Sequence, residues 1–187
     1  MEKLTIAVSG DEGSFSEEAA FIYAQRNNIE PKILYGIEFE GVFNALESGE
    51  AALGIFPVVN SRGVLVKSAF QAMGKHHFKF LEQFVMEMKQ CLMVKKDKER
   101  KDIRKIASHP QAIAQCEQYL HREFPEIRLI YWDDTAKAAR DLAQDVLSDD
   151  TAVIAPARCA EQYGLKLIDK GIQDTNPNFM TFIVVQK

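Results

Sequence analysis

Hydrogen-bond donors, rather than nucleophiles or metal ligands, carry the chemistry this sequence can offer. Asn60 and Ser61 set an amide beside a hydroxyl after an apolar run, Ser108 and Gln111 stand at the mouth of an expected helix, and Gln115 follows one turn on. Gln111 and Gln115 are spaced to share a helix face. Ser14 and Thr135 stand at the starts of two further expected helices. Small polar loops at helix N-termini suit an anion, because backbone N–H groups and the helix dipole converge there. The same residues equally serve plain turn and cap chemistry, so taken singly none defines a site. His109 has the pKa range of an acid near neutrality, but its place before Pro110 suits fixing a turn. Cys91, Cys116 and Cys159 form neither an even framework nor a C-x-x-C pair. With the spaced His76, His77, His109 and His121 they make no metal-ligand cluster, and no metal site is expected.

Apolar runs alternating with amphipathic stretches position these groups. Strands are expected at residues 4–8, 33–35 and 53–56, with helices at 14–25 and 39–47. Ser14 with Glu17 reads as a capping box. A helix through residues 62–73 and strands at 78–85 and 91–94 follow. The second half restarts the grammar: strands at 106–108, 129–131, 152–154, 165–168 and 182–185, and helices at 110–124, 136–146 and 157–163. Such alternation predicts an α/β architecture with largely parallel sheets. Ligands then sit beyond the carboxyl ends of strands, at residues 9–14, 57–63, 108–111 and 133–135.

Composition sets the outer limits. The chain has 187 residues, 47% hydrophobic and 27% charged, with 10 glycines and 6 prolines, which excludes disorder and collagen. The formal net charge of -4 argues against nucleic acid and anionic membrane surfaces as partners. The basic run at residues 95–105 is broken by Asp97, Glu99 and Asp102 and reads as a solvated surface. No stretch approaches 18 apolar residues and the first residues lack a signal-peptide pattern, so neither a membrane span nor export by that route is expected. A reducing, cytoplasmic setting fits the cysteine usage.

Taken together the loops are specific. Gly10, Asp11, Glu12, Gly13, Ser14, Phe15, Ser16, Glu17, Glu18, Ala19 and Ala20 resemble the G-P-x-G-[ST]-F-S-E-x-A-A opening of the prephenate dehydratase family, with Asp11 in place of proline. Asn60 and Ser61 match the end of its E-N-S loop. Ser108, His109, Pro110, Gln111, Ala112, Ala114, Gln115 and Cys116 match its S-H-P-Q-A-x-x-Q-C segment, and Asp134, Thr135, Ala136, Ala138, Ala139 and Arg140 its S-T-A-x-A-A-R helix start. The resemblance covers essentially the whole chain. It implies two α/β lobes similar to type II periplasmic binding proteins, one of residues 1–89 plus 169–187 and the other of residues 90–168, with a ligand cleft between them. It further implies a small-molecule substrate, prephenate or a similar dicarboxylate, no cofactor, and a homodimer or higher homo-oligomer. The phenylalanine-sensing ACT domain common in the family is not expected in this chain.

By that resemblance Asn60, Ser108, Gln115 and Thr181 are expected in catalysis, and Ser14, Ser61, Arg62, Gln111 and Thr135 in substrate binding. Two departures bear on the chemistry. The family's glutamate before the Asn-Ser pair is replaced by the Val58-Val59 pair, and its D-x-x-x-N-x-T-R-F ending reads Asp174, Asn178, Met180, Thr181, Phe182. Methionine donates no hydrogen bond and threonine is no bidentate cation. Thr181 can supply the missing hydroxyl only through a bulge, since a one-residue slip reverses the face of a strand. Arg62 is the alternative source of positive charge. Three readings follow: a dehydratase, a decarboxylase that keeps the ring hydroxyl, and a binding protein without turnover.

Overall fold

A computed structural model describes residues 2–61 and 63–187. The elements are β1 (Glu2–Ser9), α1 (Phe15–Arg26), β2 (Ile29–Ile37), α2 (Phe39–Ser48), β3 (Leu53–Asn60), α3 (Lys67–Met73), β4 (Lys79–Glu87) and β5 (Gln90–Val94). Then come β6 (Lys105–Ser108), α4 (Pro110–Gln115), α5 (Glu117–Glu123), β7 (Arg128–Tyr131), α6 (Thr135–Ala143), β8 (Thr151–Pro156), α7 (Arg158–Tyr163), β9 (Lys166–Lys170) and β10 (Phe179–Gln186).

The chain divides into two compact units, the first ending at Met88 and regaining Phe179–Lys187, the second Lys89–Asn178. Lys89 and residues 169–178 therefore belong with the second unit, not the first as expected. The reason is hydrogen bonding: Cys91 pairs with Lys170 and Leu92 with Asp169, and the Ile172 N–H donates to the Gln90 carbonyl.

The first unit holds one sheet in the order β2-β1-β3-β10-β4, the second one in the order β7-β6-β8-β5-β9. In each, a single strand, β10 or β5, runs against its neighbours and the others are parallel. Alternation along β10 explains how its sheet is covered. Met180, Phe182 and Val184 join the core under α1, while Ile183 and Val185 join the core under α2 and α3. In the second unit Val153 and Ala155 of β8 pack toward α6 and α7, and Ala152 and Ile154 toward α4 and α5. Burying one such aliphatic or aromatic side chain stabilises by about 1.5–3 kcal/mol.

Local chemistry moved several expected boundaries. The helix expected at 110–124 is two, because Cys116 takes φ -116° and ψ 18° and ends α4. The Asp174 carboxylate then accepts the N–H groups of Gln118 and Tyr119 at 3.0 and 3.3 Å, satisfying donors that the break exposes. The helix expected at 136–146 stops at Ala143, with Asp145 in the left-handed region at φ 64°. Of the helix expected at 62–73, residues 67–73 are helical.

Candidate functional site

In the first unit the loop after β1 is shaped around two glycines. Gly10 and Gly13 have φ of 91° and 88°, a region open to glycine at little cost. Ser14 is the N-cap of α1, its Oγ accepting the Glu17 N–H at 3.3 Å. The expected capping box is altered: Glu17 reaches past the cap residue, and its Oε2 accepts the Gly13 N–H at 2.8 Å. Its Oε1 accepts the Tyr35 hydroxyl at 2.5 Å. A carboxylate buried this way needs such donors, which gives the Ser-Glu pair of the opening motif a structural purpose. Tyr35 carries no motif signal and was not anticipated.

Asn60 shapes the turn that follows β3. Its Oδ1 accepts the Val64 N–H at 3.0 Å and its own N–H donates to the Val64 carbonyl. Ser61 is pinned to β10, donating its N–H to the Phe179 carbonyl at 2.8 Å and accepting the Phe179 N–H on Oγ at 3.2 Å. Arg62 lies outside the described residues.

Met180 sits directly across from Asn60 and Thr181 across from Val59. A bulge is present next to this pair, but on β3: Thr181 faces Val59 and Phe182 faces Pro57, so Val58 is the extra residue. The alternation of β10 survives, with Met180 and Phe182 both in the core under α1. Thr181 therefore lies on the opposite face from Met180 and Asn60, and its hydroxyl does not stand in for the missing one. The structure brings Asn60 and Met180 together and separates Thr181 from both.

In the second unit Ser108, wholly buried at the end of β6, donates its hydroxyl to the Ile154 carbonyl at 2.6 Å. That ties β6 to β8 and commits the hydroxyl proton. The N-cap of α4 is His109, whose Nδ1 accepts the Gln111 N–H at 3.2 Å. Gln111 is exposed in the first turn, and Gln115, half-buried, closes α4 on the same face. The Gln115 Oε1 accepts Gln90 Nε2 at 3.1 Å, and its backbone carbonyl accepts the Asp174 N–H at 2.7 Å.

Gln90 is 2% exposed at the start of β5, and its N–H donates to Gln173 Oε1 at 3.0 Å. Sequence reading missed Gln90 and Gln173. The one available signal was a polar residue opening the otherwise apolar run of β5. Thr135, half-buried, is the first residue of α6, but the cap is Asp134, accepting the Lys137 N–H at 2.9 Å. Next to it, the hydrogen bond from Lys137 holds the Asp133 carboxyl below its ordinary range.

Ser108, Gln111, Gln115, Gln90 and Thr135 thus gather at the carboxyl edge of one sheet, and Ser14, Asn60 and Ser61 at the carboxyl edge of the other. What they offer is fixed dipoles and N–H donors. Burial pushes the Cys116 thiol far up, which removes it as a nucleophile. Among the described residues no group of three His, Cys, Asp or Glu could hold a metal ion, and no helix is long and apolar enough to cross a membrane.

Among curated proteins the chain is 32% identical, over 184 residues, to arogenate dehydratase/prephenate dehydratase 6, chloroplastic, of Arabidopsis thaliana; the match covers 98% of this chain and 43% of that protein. It is 27% identical over 183 residues to the bifunctional chorismate mutase/prephenate dehydratase of Escherichia coli K12, covering 97% of this chain and 47% of that one. The chain thus spans less than half the length of these relatives. Among solved structures, prephenate dehydratase from Arthrobacter aurescens in complex with L-Phe superposes with a TM-score of 0.87 at 22% identity, over 98% of this chain and 60% of that one. That likeness shows the shared fold. A sequence profile described as prephenate dehydratase matches residues 6–187, and on that match the chain belongs to the prephenate dehydratase family.

Proposed function

We propose that this chain is a carbon–oxygen lyase of the prephenate dehydratase type. In that reaction the bond from the ring to its carboxylate breaks, its electron pair enters the ring, carbon dioxide departs, and the ring hydroxyl leaves and is protonated to water. The product is phenylpyruvate. No electrons leave the substrate, so the step calls for no redox cofactor. Preorganised donors can stabilise the developing charge on the departing oxygen. The observation that carries the reading is the donor edge of the second unit, where Gln115 is held by Gln90 on the same face of α4 as the exposed Gln111, in a chain that matches the family along residues 6–187.

In this reading the side-chain amides of Gln115 and Gln111 receive a carboxylate, and Asn60 is the amide that the family resemblance assigns to catalysis. Ser14, Ser108 and Ser61 hold backbone in place, and Thr135 opens α6 toward the same anion. The reading places the protein in the cytoplasm, which its three buried cysteines fit, and in a homodimer or higher assembly.

A second reading, decarboxylation with the ring hydroxyl retained, is favoured by one observation. Met180, with no donor, is the residue beside Asn60, and Thr181 lies on the other face. Both readings are tested by incubating purified protein near neutral pH with prephenate and, separately, with arogenate, the substrate named in the plant relatives. Products are identified by mass and ultraviolet absorbance against a no-enzyme control. Phenylpyruvate or phenylalanine above control supports the dehydratase. A decarboxylated, still hydroxylated product replaces it with the second reading, and unchanged substrate refutes both.

A further inference from the structure

Gln90 is a buried polar side chain that the chemistry above gives no direct contact with substrate. It opens β5, whose five residues are all buried and otherwise apolar. Its side-chain amide donates to Gln115 Oε1 at 3.1 Å, while its own Oε1 is buried and has no hydrogen-bond partner among the described residues. An unpaired buried carbonyl oxygen is destabilising, and an apolar side chain of the same shape would avoid it. A residue serving the fold alone has no reason to be glutamine here. The main chain of Gln90 is separately anchored by Gln173 Oε1, which fixes where the side chain starts.

We infer that Gln90 is a positioning residue that sets the amide orientation of Gln115. Because Gln115 Oε1 accepts from Gln90, the Gln115 amide nitrogen is turned away from β5 and presents its N–H bonds as donors. A donor suits a dicarboxylate; the reversed amide would present an oxygen and repel it. The device works through dipole direction, since none of the three glutamines is charged. This inference deepens the dehydratase reading by naming what aims its carboxylate donor, and it rests on that reading for the ligand alone.

Two variants separate aim from fold. Gln90→Met keeps length and apolar volume but lets the Gln115 amide rotate. Gln90→Glu, recorded up the pH range until its carboxyl is ionised, presents only acceptors, so Gln115 must turn its N–H bonds toward residue 90 and its oxygen outward. Full-length protein with ¹⁵N-labelled glutamine side chains reports this without any ligand. In the parent the Gln90 side-chain N–H signals exchange slowly with solvent and those of Gln115 rapidly. In Gln90→Glu the Gln115 signals become slow and shift. With prephenate, kcat/KM falls about 10-fold in Gln90→Met and about 100-fold in Gln90→Glu, while Gln90→Met melts at or above the parent temperature. Unmoved Gln115 signals in Gln90→Glu overturn the inference, as does an active parent whose Gln90→Met loses stability but not kcat/KM. A parent that turns over neither substrate refutes the dehydratase reading instead, and the exchange measurement still decides the orientation.

Discussion

Replacing Glu17 by glutamine should loosen the loop at residues 10–14 by an amount that can be worked out from its contacts. The side chain is 4% exposed, and its two oxygens accept from the Gly13 N–H at 2.8 Å and the Tyr35 hydroxyl at 2.5 Å. Glutamine has the same shape but one acceptor oxygen, so an NH2 group must face one of these two donors. Losing a hydrogen bond to a charged group costs about 1.5–3 kcal/mol. The remaining bond also weakens, because its acceptor becomes neutral. Together these give a destabilisation of about 3 kcal/mol for Glu17→Gln. Tyr35→Phe removes a single donor and should cost about 1–2 kcal/mol. Since both substitutions break the same bond, the double variant should be less destabilised than the sum by about 1–2 kcal/mol. Urea titration followed by far-ultraviolet circular dichroism on all four proteins measures the cycle. A Glu17→Gln loss under about 0.5 kcal/mol, or strict additivity, would mean that the carboxylate is not what holds this loop.

Three further outcomes follow from the packing. His76 stacks on Phe43 with ring centroids 4.8 Å apart, and hydrogen bonds to Glu47 and Glu40 raise its pKa. A raised folded-state pKa gives stability that is fully present below the unfolded histidine range near 6.5 and is lost as pH climbs through the folded value. Melting temperature should therefore fall with rising pH across that window in the parent and flatten in His76→Gln; parallel curves would refute the linkage. At Gly54 an added methyl would lie 2.8 Å from Val42 Cγ1 and 3.1 Å from Val185 Cγ2, whereas at Gly41 it would lie 2.1 Å from the Gly36 carbonyl oxygen. Gly54→Ala should cost about 1–3 kcal/mol and Gly41→Ala more, since backbone yields less than a side chain; equal melting temperatures would contradict this. Cys91, Cys116 and Cys159 are all buried, so a thiol reagent should label none in native protein and all three in urea, and rapid native labelling would overturn that burial.

The alternating grammar of strand and helix was readable where helices bring their own turn chemistry, as at Ser14 and Asp134. Strands lengthened beyond expectation where polar residues alternate with apolar ones, as in Lys32 and Glu30 of β2, because pairing with β1 supplies what propensity does not. The break at Cys116 was hidden, since the capping carboxylate of Asp174 comes from far along the chain. Motif residues at the site were visible by type, but not what their hydrogen bonds do. Ser108 reads as a free hydroxyl and is bound to Ile154. The side of β10 on which Thr181 falls follows from that strand's own alternation with Met180 and Phe182, whereas the extra residue Val58 in β3 is encoded by no local pattern in residues 179–186.

The place of β10 also orders events in time. It is a central strand of the first sheet, bonded to β3 on one side and β4 on the other, yet residues 89–178 are made between β4 and β10. The second unit is continuous in sequence and has its whole sheet available before residue 179 leaves the ribosome. Until then the first unit is a split sheet, with β3 and β4 each missing the neighbour that joins them. Synthesis therefore favours completion of the inserted unit first, and Phe182 and Val184 then close the older half like a key entered last. An interruption of translation in the stretch before β10 would leave one finished unit attached to one that exposes two unpaired strand edges, the kind of surface chaperones and aggregating chains both seek.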